Sequence, residues 1–495
     1  MTNNESTDRN YEKVVELAKR RGFFWPAFSI YGGESGFYDY GPLGVLMRDN
    51  IVRIWKEAYL TEDAIMVDTP VLVPMGVFKS SGHVDKFLDI AAECSNCHLR
   101  QKLENFLKPS GITETFTSSE EAELFLSSNV VRCTKCGSRI LKAFDFKLMF
   151  RLPDQGSMGD LFLRPETAQG IFIDFKLLNG YFRGKLPMAV AQQGKGFRNE
   201  ISPRQTLVRM KEFNMCEVEV FVDPVKKYWK EIPDGAIISL IPRDGEAQHL
   251  SASDALRKNV LTSNGMAYFI NLTHSILLKM GIAPDKIRFR QHHADELAHY
   301  SADSWDAEAL IDGDWLEITG IADRNDLRNH EIATGEKMSV TTEEGPITPS
   351  VIEPASGLDR IFFSVMMHSL KTRDTGFNVL SLPIEVAPYH AAVFPLVKKD
   401  GLDELARELF NELRKRDPFV LLDESGSIGK RYARQDEIGT PYCVTVDRET
   451  IENGTVTVRE RDSASQIRIA KDILIEKGLI GNDLLLPSRF SGQKN

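Results

Sequence analysis

The run Gly196-Phe-Arg-Asn-Glu200, a polar interval, and then Arg209-Met-Lys-Glu-Phe213 leading into Glu217-Val-Glu-Val-Phe221 leave this chain little choice of local fold. The apolar stretch Met188-Ala-Val-Ala191 precedes it, and Cys216 to Val222 alternates apolar and acidic residues at a period of two, as the second strand of an antiparallel hairpin does. Side chains on a strand share a face at every second residue, so Arg198 and Glu200 are expected to point the same way. The guanidinium can hold a phosphate, and the carboxylate can accept from an exocyclic amine such as adenine N6. Arg209 adds a second cationic fork, and Phe213 a ring on which a base can stack. These are parts for ATP without a glycine-rich phosphate loop. An isolated R-x-E would read as a solvated hairpin; F-R-x-E, a loop and R-x-x-x-F together are far more restrictive.

At 495 residues the chain has length for two to four domains, and 42% hydrophobic with 27% charged residues supports ordinary cores. No apolar run is long enough to span a membrane, and Met1 to Asn10 lacks the apolar centre of a leader, so a cytoplasmic location is expected. A formal net charge of -10 argues against nucleic-acid binding through overall charge and leaves a local basic groove open.

Cys94-Ser-Asn-Cys97 and Cys133-Thr-Lys-Cys136 each have knuckle spacing, the second followed by Gly137 for a tight turn. A tetrahedral four-cysteine zinc site leads, with reduced, metal-free thiols as the alternative; disulfides do not suit a cytosolic chain. Four thiolates leave no open coordination position, so such a metal is structural, worth on the order of 10 kcal/mol to local order. Cys216 and Cys443 sit in apolar, strand-like contexts and read as buried small residues.

Helical spacing runs from Tyr11 to Arg21 and from Leu43 to Leu60, with a strand expected over Ala64 to Val73, where Pro70 belongs near an edge. Residues 89–150 turn polar and cysteine-punctuated and read as an insertion; 223–287, with Pro224, Pro233, Pro242 and Pro284, reads as a second one containing a helix near Ala267 to Lys279. Short strands resume from Arg288 to Arg324. At Val351-Ile-Glu-Pro-Ala-Ser-Gly-Leu-Asp-Arg360, Gly357 permits close backbone approach, and Arg360 projects from the first turn of an apolar helix ending at Leu370, placed for a triphosphate. Alone, that segment reads equally as a helix start with an exposed arginine. The C-terminal part alternates Val393–Leu396, a helix over Leu402–Arg416, strands Val420–Leu422 and Cys443–Val446, and a final helix over Ala464–Lys477, a mixed sheet flanked by helices. Lys430, Arg431 and Arg434 suit a phosphate backbone or a charged surface loop.

The hairpin resembles the second signature motif of the class II aminoacyl-tRNA synthetases. The Leu43–Leu60 helix and its strand resemble the first, which forms much of the dimer interface in that class, although an ordinary helix–strand pair reads the same way; the segment ending at Arg360 resembles the third. Within the class, Ile30-Tyr-Gly-Gly33, Asp39-Tyr-Gly-Pro42, Arg164-Pro-Glu-Thr-Ala-Gln-Gly170, Gly196 to Arg204, Ala298-His-Tyr300, Gly320-Ile-Ala-Asp-Arg324 and Glu353-Pro354 resemble glycyl-tRNA synthetases of the homodimeric archaeal and eukaryotic-like branch. Ala387-Pro388, Gly426 to Tyr432 and Arg434 to Pro441 are similar to the family's α/β anticodon-binding domain.

The resemblance implies an α+β chain: a class II antiparallel-sheet catalytic domain over 1–375, carrying the zinc-knuckle and second insertions, and an α/β anticodon-binding domain over 376–495. It implies ATP-dependent attachment of glycine to tRNA(Gly) by a homodimer through glycyl-adenylate, releasing AMP and pyrophosphate, with Mg²⁺ accompanying ATP and a structural Zn²⁺. Arg198 and Arg360 are the implied catalytic groups, with Arg198 on the α-phosphate and substrate carboxylate. Glu200 would take the adenine amine, Phe213 the adenine face, and Arg209 with Arg360 the β- and γ-phosphates. Asn199, Val208, Met210, Lys211, Glu212, Ile318, Gly357, Leu358 and Asp359 complete the implied ATP shell, and Glu317 carries magnesium. Arg100, Glu166, Phe213, Glu217, Arg324, Glu353, Ser356 and Gly357 form the implied glycine pocket, with Glu166 and Glu353 on the ammonium.

Two segments depart from the family pattern: Glu353-Pro-Ala355-Ser356 stands where many relatives read Glu-Pro-Ser, and Asn325 to His330 is short and lacks the usual tyrosine. Lys337-Met-Ser339 has no partner His-x-Gly-His of the class I enzymes and reads as a surface turn. His292 to His299 lacks H-E-x-x-H zinc spacing. A non-catalytic tRNA-binding paralogue is the rival from another class; it would usually have lost part of the set Arg198, Glu200, Arg209, Phe213 and Arg360, all of which remain.

Overall fold

A computed structural model describes residues 8–478 apart from 154–158, 204, 234, 298–300, 326 and 344. Arg204, Ala298-His-Tyr300 and the chain before 8 and beyond 478 therefore lie outside the described residues.

The chain opens with helix α1 (Asp8–Arg21), hairpin β1 (Phe24–Pro26) and β2 (Tyr38–Tyr40), and helix α2 (Pro42–Thr61). Pro42 starts α2 where a missing amide proton costs nothing. Gly44 is required there, since a Cβ would fall 1.8 Å from the Phe23 carbonyl oxygen. The expected Ala64–Val73 strand is interrupted: β3 (Ile65–Met66) joins the main sheet, Thr69-Pro70 carries no ladder, and Leu72–Pro74 pairs elsewhere with Leu161–Leu163. Pro70 lacks the amide hydrogen a continuous strand would need.

The main sheet continues through β4 (Met188–Phe197), β5 (Glu212–Val222), β6 (Ile238–Ile241), β7 (Gln248–Leu250), β8 (Ile287–Gln291), β9 (Ser301–Ile311), β10 (Asp314–Arg324) and β11 (Ser350–Gly357). Its nine strands run β7-β6-β8-β9-β10-β11-β5-β4-β3, antiparallel except at β6–β8 and β4–β3. The 223–287 segment thus adds two strands to the sheet edge, and its helix α3 (Asn264–Lys279) lies in the main core rather than in an appendage.

Period-two alternation divides β5 between two layers. Cys216, Val218, Val220 and Val222 enter a core shared with α2, α3 and helix α4 (Leu358–Ser369), each valine contributing about 1.5–3 kcal/mol of burial. Phe221 joins Phe172, Val190 and Val351 on the opposite face. Glu217 and Glu219 share the parity of Phe221, so the sheet carries carboxylates into a buried layer beside the cleft.

The cysteine-rich segment forms a small sheet, Leu88–Glu93 between Arg100–Lys102 and Ala143–Lys147, with helix Ser119–Ser128 and its own core around Phe106, Leu126 and Ile140. The C-terminal unit is a five-stranded mixed sheet: β12 (Ala391–Pro395), helix α5 (Leu402–Arg416), β13 (Val420–Leu422), helix α6 (Ile428–Ile438), β14 (Tyr442–Val446), β15 (Thr455–Glu460), β16 (Gln466–Ala470) and helix α7 (Lys471–Lys477). The expected helix over Ala464–Lys477 is corrected: Ile467 and Ile469 alternate with Gln466 and Arg468 on a strand paired to β15, and only the last turns are helical. Arg431 and Arg434 are also corrected, being internal ties. Arg431 is buried and donates to the carbonyls of Pro395, Glu424 and Gly426, and Arg434 holds both oxygens of Asp423 at 2.7 Å.

Candidate active site

The β4–β5 hairpin pairs Phe197 with Glu212 and Gly196 with Phe213. Gly196 makes room for the Phe213 ring, since a Cβ would lie 2.6 Å from it. The strand stops at Phe197, yet Arg198 and Glu200 both turn into the cleft, Arg198 donating its backbone amide to the Lys211 carbonyl at 2.9 Å. The Arg198 guanidinium lies between the rings of Phe87 and Phe213, 5.3 and 5.4 Å from their centroids. Its Nε is buried without a hydrogen-bond partner among the described residues, ready for an anionic ligand.

The other two arginines are held by carboxylates. Arg209 Nε stands 3.5 Å from Glu200 Oε2. Arg360, in the first turn of α4, donates to the Val208 carbonyl at 3.1 Å, the Glu317 carbonyl at 2.9 Å and Glu317 Oε2 at 3.0 Å. Desolvation pushes the Glu317 carboxyl up, and the charge and hydrogen bond of Arg360 more than offset it, leaving the group below its ordinary range. Met210, Ile318 and Gly357 also line this cleft.

Four residues of the expected ATP shell stand outside the cleft. Asn199 donates its backbone amide to the Leu148 carbonyl, Lys211 faces Glu34 at 3.7 Å, Glu212 pairs with Lys195, and Leu358 is fully buried in the core. Asp359 lies at the cleft's edge but serves inwardly, accepting from Tyr40 Oη and from the backbone and side chain of Asn214 and so locking the start of α4 to β5. Burial pushes its carboxyl up.

A second cluster adjoins the first. Arg324, fully buried at the end of β10, donates to Glu353 Oε1 at 2.7 Å and Glu166 Oε1 at 3.1 Å, its guanidinium over the Phe172 ring. Gln169 donates to Glu166 Oε1 at 2.8 Å, and His83 Nε2 lies 3.5 Å from its other oxygen. Burial raises the Glu166 carboxyl, but Arg324 and His83 outweigh it and hold the group well below the usual range. Glu217 Oε2 accepts from the backbone amides of Thr167 and Ala168 and from Thr167 Oγ1; burial, then the Glu166 charge, still push it upward. Gly194 leaves the passage that Arg164 crosses, because a Cβ there would meet its Nη2 at 2.1 Å.

One expected glycine contact is not brought in. Arg100 lies in the small cysteine-rich sheet, exposed and paired with Glu93. Ser356 lines the cleft beside Ala355, but its Oγ meets Thr319 Oγ1 of the neighbouring strand at 3.1 Å. Sequence reading missed Met215, Gly320 and Ala355, which line the cleft, and His83 and Gln169 beneath it. Counting by twos from Phe213, Arg324 and Glu353 finds the first three, and the three-residue spacing from Glu166 points to Gln169; nothing local points to His83.

The four Sγ atoms of Cys94, Cys97, Cys133 and Cys136 lie within 4.8 Å of one another, with 3.5 Å for Cys94–Cys136 and 3.6 Å for Cys97–Cys133. Zinc–sulfur bonds of about 2.3 Å give a tetrahedron with edges of roughly 3.8 Å, so this donor set fits zinc.

Among solved structures, the fold is similar to the prolyl-tRNA synthetase of Giardia lamblia in complex with prolyl-adenylate, with a TM-score of 0.60 at 14% identity over 95% of this chain and 75% of that one. It is similar also to the Cryptosporidium parvum prolyl-tRNA synthetase, with a TM-score of 0.59 at 13% identity over 99% of this chain and 80% of that one. The fold is therefore that of the class II aminoacyl-tRNA synthetases. A family model described as "Anticodon binding domain" matches residues 390–479. Curated glycine–tRNA ligases match nearly end to end: that of Methanothrix thermoacetophila is 36% identical over 94% of this chain and 96% of its own. The Methanocaldococcus jannaschii enzyme is 36% identical over 94% and 98%, and the Pyrococcus furiosus enzyme 36% over 93% and 96%. The chain belongs to the glycine–tRNA ligase family.

Proposed function

We propose that the cleft performs the glycine–tRNA ligase reaction with ATP over the β4–β5 hairpin and glycine over the carboxylates beside it. The observation that carries this assignment is that Arg198, Arg209, Arg360 and Glu217 line one cleft, while a Glu217 carboxyl oxygen lies within 4.8 Å of Glu353, which Arg324 ties to Glu166. The carboxylates suit an ammonium, and the arginines suit a triphosphate and the substrate carboxylate.

Arg198 orients the glycine carboxylate for in-line attack on the α-phosphorus and stabilises the charge that develops there. Glu200 accepts from the adenine amine, and Phe213 offers its ring to the base. Arg209 and Arg360 exchange Glu200 and Glu317 for the β- and γ-phosphates. Glu317, kept ionised and half open to solvent, fits a magnesium ion that would shield phosphate charge. Glycyl-adenylate and pyrophosphate form, and the terminal ribose hydroxyl of tRNA(Gly) then takes the glycyl group and releases AMP; among the described residues no side chain stands out as a general base. Bulky substrates are excluded sterically, and glycine has no smaller competitor to require editing.

The four thiolates hold a structural zinc ion. The C-terminal unit, placed at 376–495, carries the anticodon contacts, and α2 with its following strand contributes to a homodimer interface. No helix among the described residues is long and apolar enough to cross a membrane, in keeping with a cytoplasmic enzyme.

Glycine-dependent ATP–pyrophosphate exchange, measured across a panel of amino acids, tests the assignment. Arg198→Ala should abolish exchange with an unchanged circular-dichroism spectrum; retained exchange would remove Arg198 from the chemistry.

A further inference from the structure

Behind the carboxylates assigned to glycine lies one that nothing above uses. Glu219 is fully buried, and neither of its oxygens has a hydrogen-bond partner among the described residues. Carboxyl oxygens of Glu217, Glu219 and Glu353 nevertheless lie within 4.8 Å of one another. The other two have their own donors: Thr167 and Ala168 for Glu217, Arg324 for Glu353. Three buried anions at that spacing cannot coexist beside a single guanidinium already shared with Glu166. A proton resolves the conflict, and it belongs on the group that has no donor.

We propose that Glu219 serves as a neutral carboxylic acid, a positioning residue whose O–H group lies between Glu217 and Glu353 and lets both remain anionic side by side toward the glycine ammonium. The charged groups around it are Glu353, Arg324, Glu217 and Glu166, and burial followed by the Glu353 charge displaces its titration well upward. Glu219 touches no substrate. It supplies a hydrogen-bond donor at a point where a lysine or arginine would cancel the negative charge the ammonium requires. The proton stays on Glu219 when glycine binds, so glycine uptake near neutral pH releases none from this site. This inference rests on the assignment of Glu217 and Glu353 to the ammonium.

The test uses the full-length enzyme in glycine-dependent ATP–pyrophosphate exchange. Glu219→Gln keeps a donor of the same shape without charge, and is expected to leave KM for glycine within about threefold of the parent at pH 7–8. Glu219→Met fills the space without a donor, and is expected to raise that KM at least tenfold while KM for ATP stays put. Infrared difference spectra should show a carboxylic-acid carbonyl band in the parent that Glu219→Gln lacks. Equal losses in Gln and Met would show that the charge is needed, and equal retention in both that only volume matters; either overturns the proposal. So do absence of the acid band, and a stoichiometric metal beyond zinc bound in the parent but not in Glu219→Gln. Thermal melts and KM for ATP separate misfolding from a local effect. Glu353→Gln is the control on the underlying assignment: if it leaves KM for glycine unchanged, the ammonium site itself is misplaced, whatever Glu219 does.

Discussion

Arg324 lies wholly inside the protein and owes its charge balance to Glu166 and Glu353, which come from two other segments of the chain. Removing it would strand two buried carboxylates, and breaking a buried pair of this kind costs about 3–5 kcal/mol. Arg324→Met should therefore lower the melting temperature as well as erase glycine-dependent exchange, whereas Arg209→Ala, half-exposed and paired at 3.5 Å, should lose activity with an unchanged melt. Glu219 gives the pH dependence a sign. Burial and the Glu353 charge raise its pKa above the unfolded value of about 4.3. Its contribution to stability is thus complete below that value and is lost as pH rises toward the folded one. Glu219→Gln should melt higher than the parent at pH 8, with the gain shrinking toward pH 5; a gain that grows on acidification would contradict the sign. Arg198, Glu200 and Phe213 were legible in sequence because chemistry and strand parity coincide within a few residues. Glu219 was equally visible but mute, since its lack of a partner among the described residues is a property of β11 and β10 as much as of β5.

At the scale of elements, the hairpin works because β4 supplies glycine where β5 supplies bulk. A Cβ at position 196 would meet Phe213 at 2.6 Å and the Met215 sulfur at 2.8 Å. Gly196→Val should displace the ring, raising KM for ATP more than KM for glycine, with about 1–3 kcal/mol of destabilisation from overpacking in a urea melt. Element positions were largely readable: α2, α3 and α4 occupy the segments their apolar spacing indicates. The failures share one cause. Ala464–Lys477 contains short apolar spacings that suit a helix or a strand, and pairing with β15 decides for a strand over Gln466–Ala470. The strand through Pro70 breaks because its two ends pair with different partners.

Across the whole molecule, separate cores hold the catalytic sheet, the cysteine-rich unit and the C-terminal sheet. The cysteine-rich core is small, so metal should dominate its order. Wild-type enzyme is expected to carry one zinc per chain, and Cys133→Ser none, with new protease cleavage confined to residues 94–142; a resistant, zinc-free variant would show that the core suffices alone. The C-terminal sheet is tied back through Glu437 of α6, which binds both Arg20 and Arg21 of α1, and through Asn50 of α2, which donates to the Ala387 carbonyl at 3.0 Å. By itself the sequence determined the family, the hairpin, the motif arginines and the cysteine cluster, because each depends on residue type at short, regular spacing. Only the tertiary structure decided that Arg431 and Arg434 are internal ties, that the Ser356 hydroxyl is taken by Thr319, and that Glu219 is a buried acid with no donor among the described residues. Those outcomes depend on which distant strand supplies a partner, and pairing across hundreds of residues leaves no local trace in the order of side chains.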